Sequence, residues 1–190
     1  GVASHRKRVL ALPFVLRAVR HALPDARLRL AGFAWQDAPE LAALCEELGV
    51  RDAVECIGAV PPEAMPRIYR AAQLLVVPSA YEGLPYVIVE ALREGTAVVA
   101  TRVSGHPEVL DDGVTGRLVP PDDPRALAQA CVALLRDPEA RARLGQAGRR
   151  RVAEQFDPER QIDAYLDYYL ALASGVGDPP TRIADAGGET

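Results

Sequence analysis

Between Val76 and Ala91 the chain reads V-V-P-S-A-Y-E-G-L-P-Y-V-I-V-E-A, and this stretch restricts the fold more than any other. The apolar run Leu74 to Val77 suits a strand covered on both faces. Pro78 ends it, because proline has no N–H to give to a ladder. Glu82 and Gly83 fall in a tight loop, and Pro85 stands where a first helical residue belongs, with its φ already set. Val87, Ile88, Ala91 and Leu92 then recur at helical spacing.

A helix that opens straight after a strand offers unpaired backbone N–H groups, and its dipole favours an anion there. Glycine at position 83 lets that backbone approach a ligand closely. The loop is therefore a phosphate site in outline. Two carboxylates flank it, Glu82 before the helix and Glu90 just over one turn inside. Helical side chains lean toward the N-terminus, so Glu90 reaches back toward the same ligand. A carboxylate repels phosphate but accepts hydrogen bonds from hydroxyls. A ligand with a diphosphate in the middle and hydroxyls at both ends satisfies the set, and a nucleotide sugar is such a ligand.

The remainder of the chain alternates strand and helix patterns. Leu12, Val15, Leu16 and Val19 form a helical stripe, and Ala26 to Phe33 alternates as a strand. Asp37 with Glu40 reads as a capping box for a helix that buries Leu41, Leu44, Cys45 and Leu48 and ends at Gly49. Strands are expected over Ala53 to Ile57, Ala97 to Thr101 and Gly116 to Val119, and helices over Pro62 to Ala72, Pro124 to Leu135 and Arg136 to Gln155. Asp157-Pro158 opens a last helix with the stripe Ile162, Tyr165, Leu166, Tyr169 and Leu170. The fold class is α/β: a Rossmann-like, mostly parallel sheet flanked by helices, with its ligand at the C-terminal ends of the strands. One domain is expected over 1–173, followed by a disordered Gly-, Pro- and Asp-containing tail over 174–190.

Several functions are disfavoured. A net charge of −4 over 190 residues argues against a nucleic-acid binder, and Arg149-Arg150-Arg151 reads as a solvated face. Gly32 ends its strand in G-F-A-W-Q-D, which is not a G-x-G-x-x-G dinucleotide fingerprint. No apolar run is long enough to span a membrane. The three cysteines, Cys45, Cys56 and Cys131, are too far apart for a zinc site or disulfide framework, and a reducing cytoplasm is the simplest setting. No metal motif is evident and no cofactor is expected. His106 invites a general-base reading, but a single loop histidine without a partner reads as polar surface.

P-S-A-Y-E-G-L-P-Y-V-I-V-E-A-L-R-E-G-T-A-V-V-A-T, followed by S-G-H-P-E-V-L-D-D-G-V-T-G-R-L-V-P-P-D-D, resembles the donor-binding C-terminal half of retaining GT-B glycosyltransferases of the family 4 type. Glu82 and Glu90 match that family's E-x7-E motif, and the likeness runs over roughly residues 1 to 172. The resemblance implies that Glu82 holds hydroxyls of the donor sugar and Glu90 the ribose diol. It implies that Lys7, the sole lysine, grips the pyrophosphate together with the N–H groups of Gly83 and Leu84, with Pro85 behind them. It places Ile57 and Gly58 beside the base and Gly105 near the sugar. Ser104 stands where the family's G-G-x-P-E has its first glycine, and the family's arginine before the lysine has no clear counterpart. Only Gly1 to Ser4 precede His5-Arg6, so a truncated first strand is expected, with the acceptor-binding N-terminal half outside this chain. The implied reaction is sugar transfer from a nucleoside diphosphate to a hydroxyl with retention, in the cytoplasm or peripherally at a membrane face. Rival readings are a sugar-nucleotide epimerase, a phosphorylase, or a non-catalytic nucleotide-sugar binding module.

Overall fold

The computed structural model describes residues 7–156, 162, 165–170 and 172. Its strands are β1 (Leu28–Leu30), β2 (Val54–Cys56), β3 (Leu75–Val77), β4 (Val98–Thr101) and β5 (Arg117–Val119). Its helices are α1 (Leu12–Ala22), α2 (Pro39–Glu47), α3 (Met65–Ala71), α4 (Tyr86–Arg93), α5 (His106–Val109), α6 (Pro124–Arg136) and α7 (Pro138–Gln155). All ladders are parallel: β1 pairs with β2 in one sheet, and β3, β4 and β5 lie side by side in another. Parallel neighbours need a crossover, and here helices supply it.

The central strand shows how the layers form. All four residues of β4 are buried. Val98 and Ala100 join Ile88, Leu92 and Val152, from α4 and α7. Val99 points the other way and joins Val15, Val19, Leu127 and Cys131, from α1 and α6. Alternation along one strand thus anchors a helical layer on each face. A third cluster, around Leu30, Leu41, Cys45 and Val54, seats α2 against β1 and β2. α7 comes very close to the end of α4: a Cβ added at Gly145 would stand 2.0 Å from the Gly95 carbonyl oxygen.

Most elements fall where expected but are shorter, and some expectations need correction. Asp37 does not cap α2. Pro39 is the first helical residue, Ala38 is the N-cap, and Asp37 turns back to accept the Ala34 N–H at 3.0 Å. Pro85 is the N-cap of α4 rather than its first residue; its carbonyl accepts the Ile88 N–H at 2.9 Å. Arg151 is not part of a free charged face, since it donates to Asp111 at 2.7 Å and to the Glu108 carbonyl. The stripe Ile162, Tyr165, Leu166, Tyr169 and Leu170 is exposed. The expected first strand, the helix start at Asp157-Pro158 and the tail 174–190 lie outside the described residues.

Candidate functional site

The loops after β3 and β4 meet through the Gly105 N–H and the Glu82 carbonyl, and the segment before the first helix shares a cavity with their strand ends. After β3 the backbone turns at Ser79–Leu84 and enters α4. Among the described residues, no acceptor meets the N–H of Gly83 or Leu84. Gly83 is exposed, and a Cβ there would meet nothing within 4 Å, so open space lies on that side of the turn. These two N–H groups belong to the loop that leads into the Pro85 N-cap of the eight-residue α4.

Glu82 is held at two points. Its Oε1 accepts from the Ser79 hydroxyl at 3.0 Å, and its carbonyl accepts the Gly105 N–H at 3.1 Å. Glu90 is exposed on α4, with Oε2 accepting from the Tyr69 hydroxyl at 2.7 Å. Burial, then the hydrogen bond to Glu90, pushes the Tyr69 phenol far above its ordinary range, so it stays a donor. Tyr69 is itself fixed from behind, because Thr96 donates to its carbonyl at 2.8 Å.

Gly105 does bring backbone close, but to protein. A Cβ at this position would stand 1.6 Å from the Gly83 carbonyl oxygen, so the loop after β4 is pressed onto the Glu82–Gly83 turn. His106 is not polar surface. It is 0% exposed and its Nδ1 lies 2.6 Å from the Thr101 carbonyl, within the first turn of α5. Proline and glycine flank the position in sequence, which masks a core site as a loop.

Gly58 and Ile57 sit after β2. Gly58 has φ +72°, donates its N–H to the Phe33 carbonyl at 3.1 Å and accepts the Gly32 N–H at 2.8 Å. The Ile57 N–H donates to Leu30 at 2.9 Å. These groups tie the loops after β1 and β2 together and leave no free donor on either residue. Lys7 is half-buried in the turn just before Val9–Ala11. Its neighbour Arg8 pairs with Asp122. Arg8 also lines a cavity of about 780 Å³ with Phe14, Pro78, Ala80 and Thr101. That cavity borders the β3 loop without including Glu82 or Glu90. His5 and Arg6 lie outside the described residues.

The sequence reading passed over Tyr69, Ser79 and Thr101 as site residues and took the core residue His106 for polar surface. Their signal is polarity inside apolar patterns: Ser79 follows the apolar run of β3, and Thr101 closes V-V-A-T. Among the described residues there is no cluster of three or more His, Cys, Asp or Glu able to hold a metal, and no helix long and apolar enough to cross a membrane.

Parallel strands flanked by helices, with loops at their C-terminal ends, make a Rossmann-like domain that matches the GT-B glycosyltransferase architecture. The chain belongs to the glycosyl transferases group 1 family, whose model matches residues 1–151. It is 37% identical over 176 residues to a D-inositol 3-phosphate glycosyltransferase of Saccharomonospora viridis, covering 86% of this chain and 41% of that protein. A sucrose-phosphate synthase from Thermosynechococcus elongatus superposes with a TM-score of 0.83 at 32% identity, over 92% of this chain and 44% of the other. HepE of Anabaena, solved with UDP and glucose, superposes with a TM-score of 0.79 at 27% identity, over 88% of this chain and 46% of its own. The chain thus spans less than half the length of these relatives.

Proposed function

We propose that this chain is the donor-binding half of a retaining, family 4 type hexosyltransferase that uses a nucleoside-diphosphate sugar. The observation that carries the reading is the free N–H pair of Gly83 and Leu84, flanked by the Glu82 and Glu90 carboxylates. The N–H groups and Lys7 stabilise the diphosphate, Glu82 takes hydroxyls of the sugar and Glu90 takes the ribose diol. UDP is the expected nucleotide, on the analogy of HepE. In the reaction, the bond from the anomeric carbon to the diphosphate oxygen breaks. The acceptor oxygen bonds to that carbon from the same face, and the acceptor proton leaves with the diphosphate. Charge grows on the leaving diphosphate, where preorganised donors act most strongly. The acceptor is bound by a second half outside this chain, in a cytoplasmic enzyme.

Calorimetric titration with UDP-, GDP- and ADP-sugars tests the reading. Saturable binding to one series is expected, weakened about tenfold or more in Glu90→Ala, because a hydrogen bond to a charged group is removed. Absence of binding by the folded chain, or equal binding by Glu90→Ala, would refute the site. Rapid sugar transfer by this chain alone would refute its role as half of the enzyme.

A further inference from the structure

His106 carries an unexplained cost. Thr101 offers Nδ1 a carbonyl, which only accepts, so Nδ1 holds the proton and Nε2 keeps a lone pair. Nε2 is buried with no hydrogen-bond partner. Leaving such a group unsatisfied is destabilising, and an apolar side chain of similar shape would fill the place without that cost. Burial lowers the proton affinity of His106, against the opposing pull of the Thr101 carbonyl and the Glu82 charge, so the neutral ring is favoured.

The contacts around the ring show what it does. Two routes lead from Thr101 to Glu82. In the first, the Thr101 hydroxyl donates to the Ser79 carbonyl at 2.5 Å, and the Ser79 hydroxyl donates to the Glu82 carboxylate at 3.0 Å. In the second, the Thr101 carbonyl holds His106, whose neighbour Gly105 donates to the Glu82 carbonyl at 3.1 Å. Ser79, Thr101 and His106 are all buried, so water does not compete for these bonds. The residue before Gly105 is the weak point: Ser104 has φ +32°, a conformation that L-residues rarely adopt. A strained turn persists only where its surroundings fix it.

We infer that His106 is a positioning residue for the donor sugar: by bonding Thr101 it locks the Ser104–Gly105 turn against Glu82 and so aims the Glu82 carboxylate. The inference rests on the donor-site reading given above.

The test uses His106→Leu, which fills the space without the bond, and His106→Asn, whose amide nitrogen superposes on Nδ1. Each is titrated with the nucleoside diphosphate that the wild-type chain binds best and with a panel of its hexose derivatives, and unfolded in urea. The wild-type chain is expected to bind one hexose derivative more tightly than the bare diphosphate. In His106→Leu that gain falls about tenfold, the loss of one hydrogen-bonded placement, while affinity for the bare diphosphate stays within about twofold. Stability is unchanged or higher, because Thr101 keeps a second donor in the Val103 N–H and the orphaned nitrogen is gone. His106→Asn restores the gain. A retained gain in His106→Leu overturns the inference alone. So does a loss of both affinities in step with stability, which marks a merely structural residue. If the wild-type chain binds the diphosphate but gains nothing from any hexose, Glu82 does not hold the sugar and the inference falls. If it binds neither, the donor-site reading falls and takes the inference with it.

Discussion

Replacing Gly105 by alanine separates a glycine that serves packing from one proposed to serve a ligand. The added Cβ would stand 1.6 Å from the Gly83 carbonyl oxygen, 2.8 Å from its carbon and 3.4 Å from the Glu82 oxygen. All three are backbone atoms, so no side chain can swing aside, and the two loops must part by well over an ångström. Overpacking of this kind costs about 1–3 kcal/mol. The Gly105 N–H to Glu82 bond, at 3.1 Å, is lost with it, for about another 0.5–1.5 kcal/mol. The sum, about 1.5–4.5 kcal/mol, corresponds to a fall in Tm of roughly 3–18 °C for a domain of this size. Gly83→Ala is the control. Its Cβ meets nothing within 4 Å and its φ is ordinary, so stability changes by less than about 0.5 kcal/mol while nucleotide-sugar binding weakens. Urea or thermal unfolding of both variants, with titration of a UDP-sugar, reads the two effects apart. A Gly105→Ala variant as stable as the wild type would show that the contact between the loops is not tight, and would refute this account of the turn.

Other outcomes follow from single contacts. Gly145→Ala should lose stability even though alanine is the better helix former by about 1 kcal/mol, because its Cβ would stand 2.0 Å from the Gly95 carbonyl oxygen; a stabilised variant in urea unfolding would contradict the close approach of α7 and α4. Tyr69→Phe should cost about 1–2 kcal/mol on unfolding and weaken nucleotide binding, since Glu90 loses its 2.7 Å donor; unchanged affinity would mean that Tyr69 does not orient Glu90. His106 should also leave a mark on pH dependence. Its folded value lies below the ordinary 6.5, so the unfolded chain takes up the proton first. The contribution is therefore full well above 6.5 and falls as pH drops through 6.5, until the folded ring is protonated too. His106→Leu lacks this contribution, so the variant should gain on the wild type as pH falls through 6.5. A difference that stays constant with pH would refute the assignment.

What could be read in the sequence was whatever depends on near neighbours in the chain. The run L-L-V-V, the glycine at 83 and the stripe of Val87, Ile88, Ala91 and Leu92 are local patterns, and they locate the β3–α4 loop with its two glutamates. Asp37 misled because Pro39 claims the first helical position, which moves the cap to Ala38 and leaves the carboxylate to close its own turn on Ala34. Gly105 was legible in kind and not in object: glycine does signal a close backbone approach, but nothing local says that the approaching backbone is Gly83. His106 was illegible for the same reason. Its partner is the carbonyl at the end of β4, and that carbonyl lies beneath the ring because the chain turns at Ser104. Glu82 gives the general form of the difficulty. The carboxylate itself can be picked from its loop, yet its direction is set by Ser79, Thr101, Gly105 and His106, brought together from two βα units. Residues that face a ligand carry their chemistry in the open, while the residues that aim them face inward and look like ordinary core.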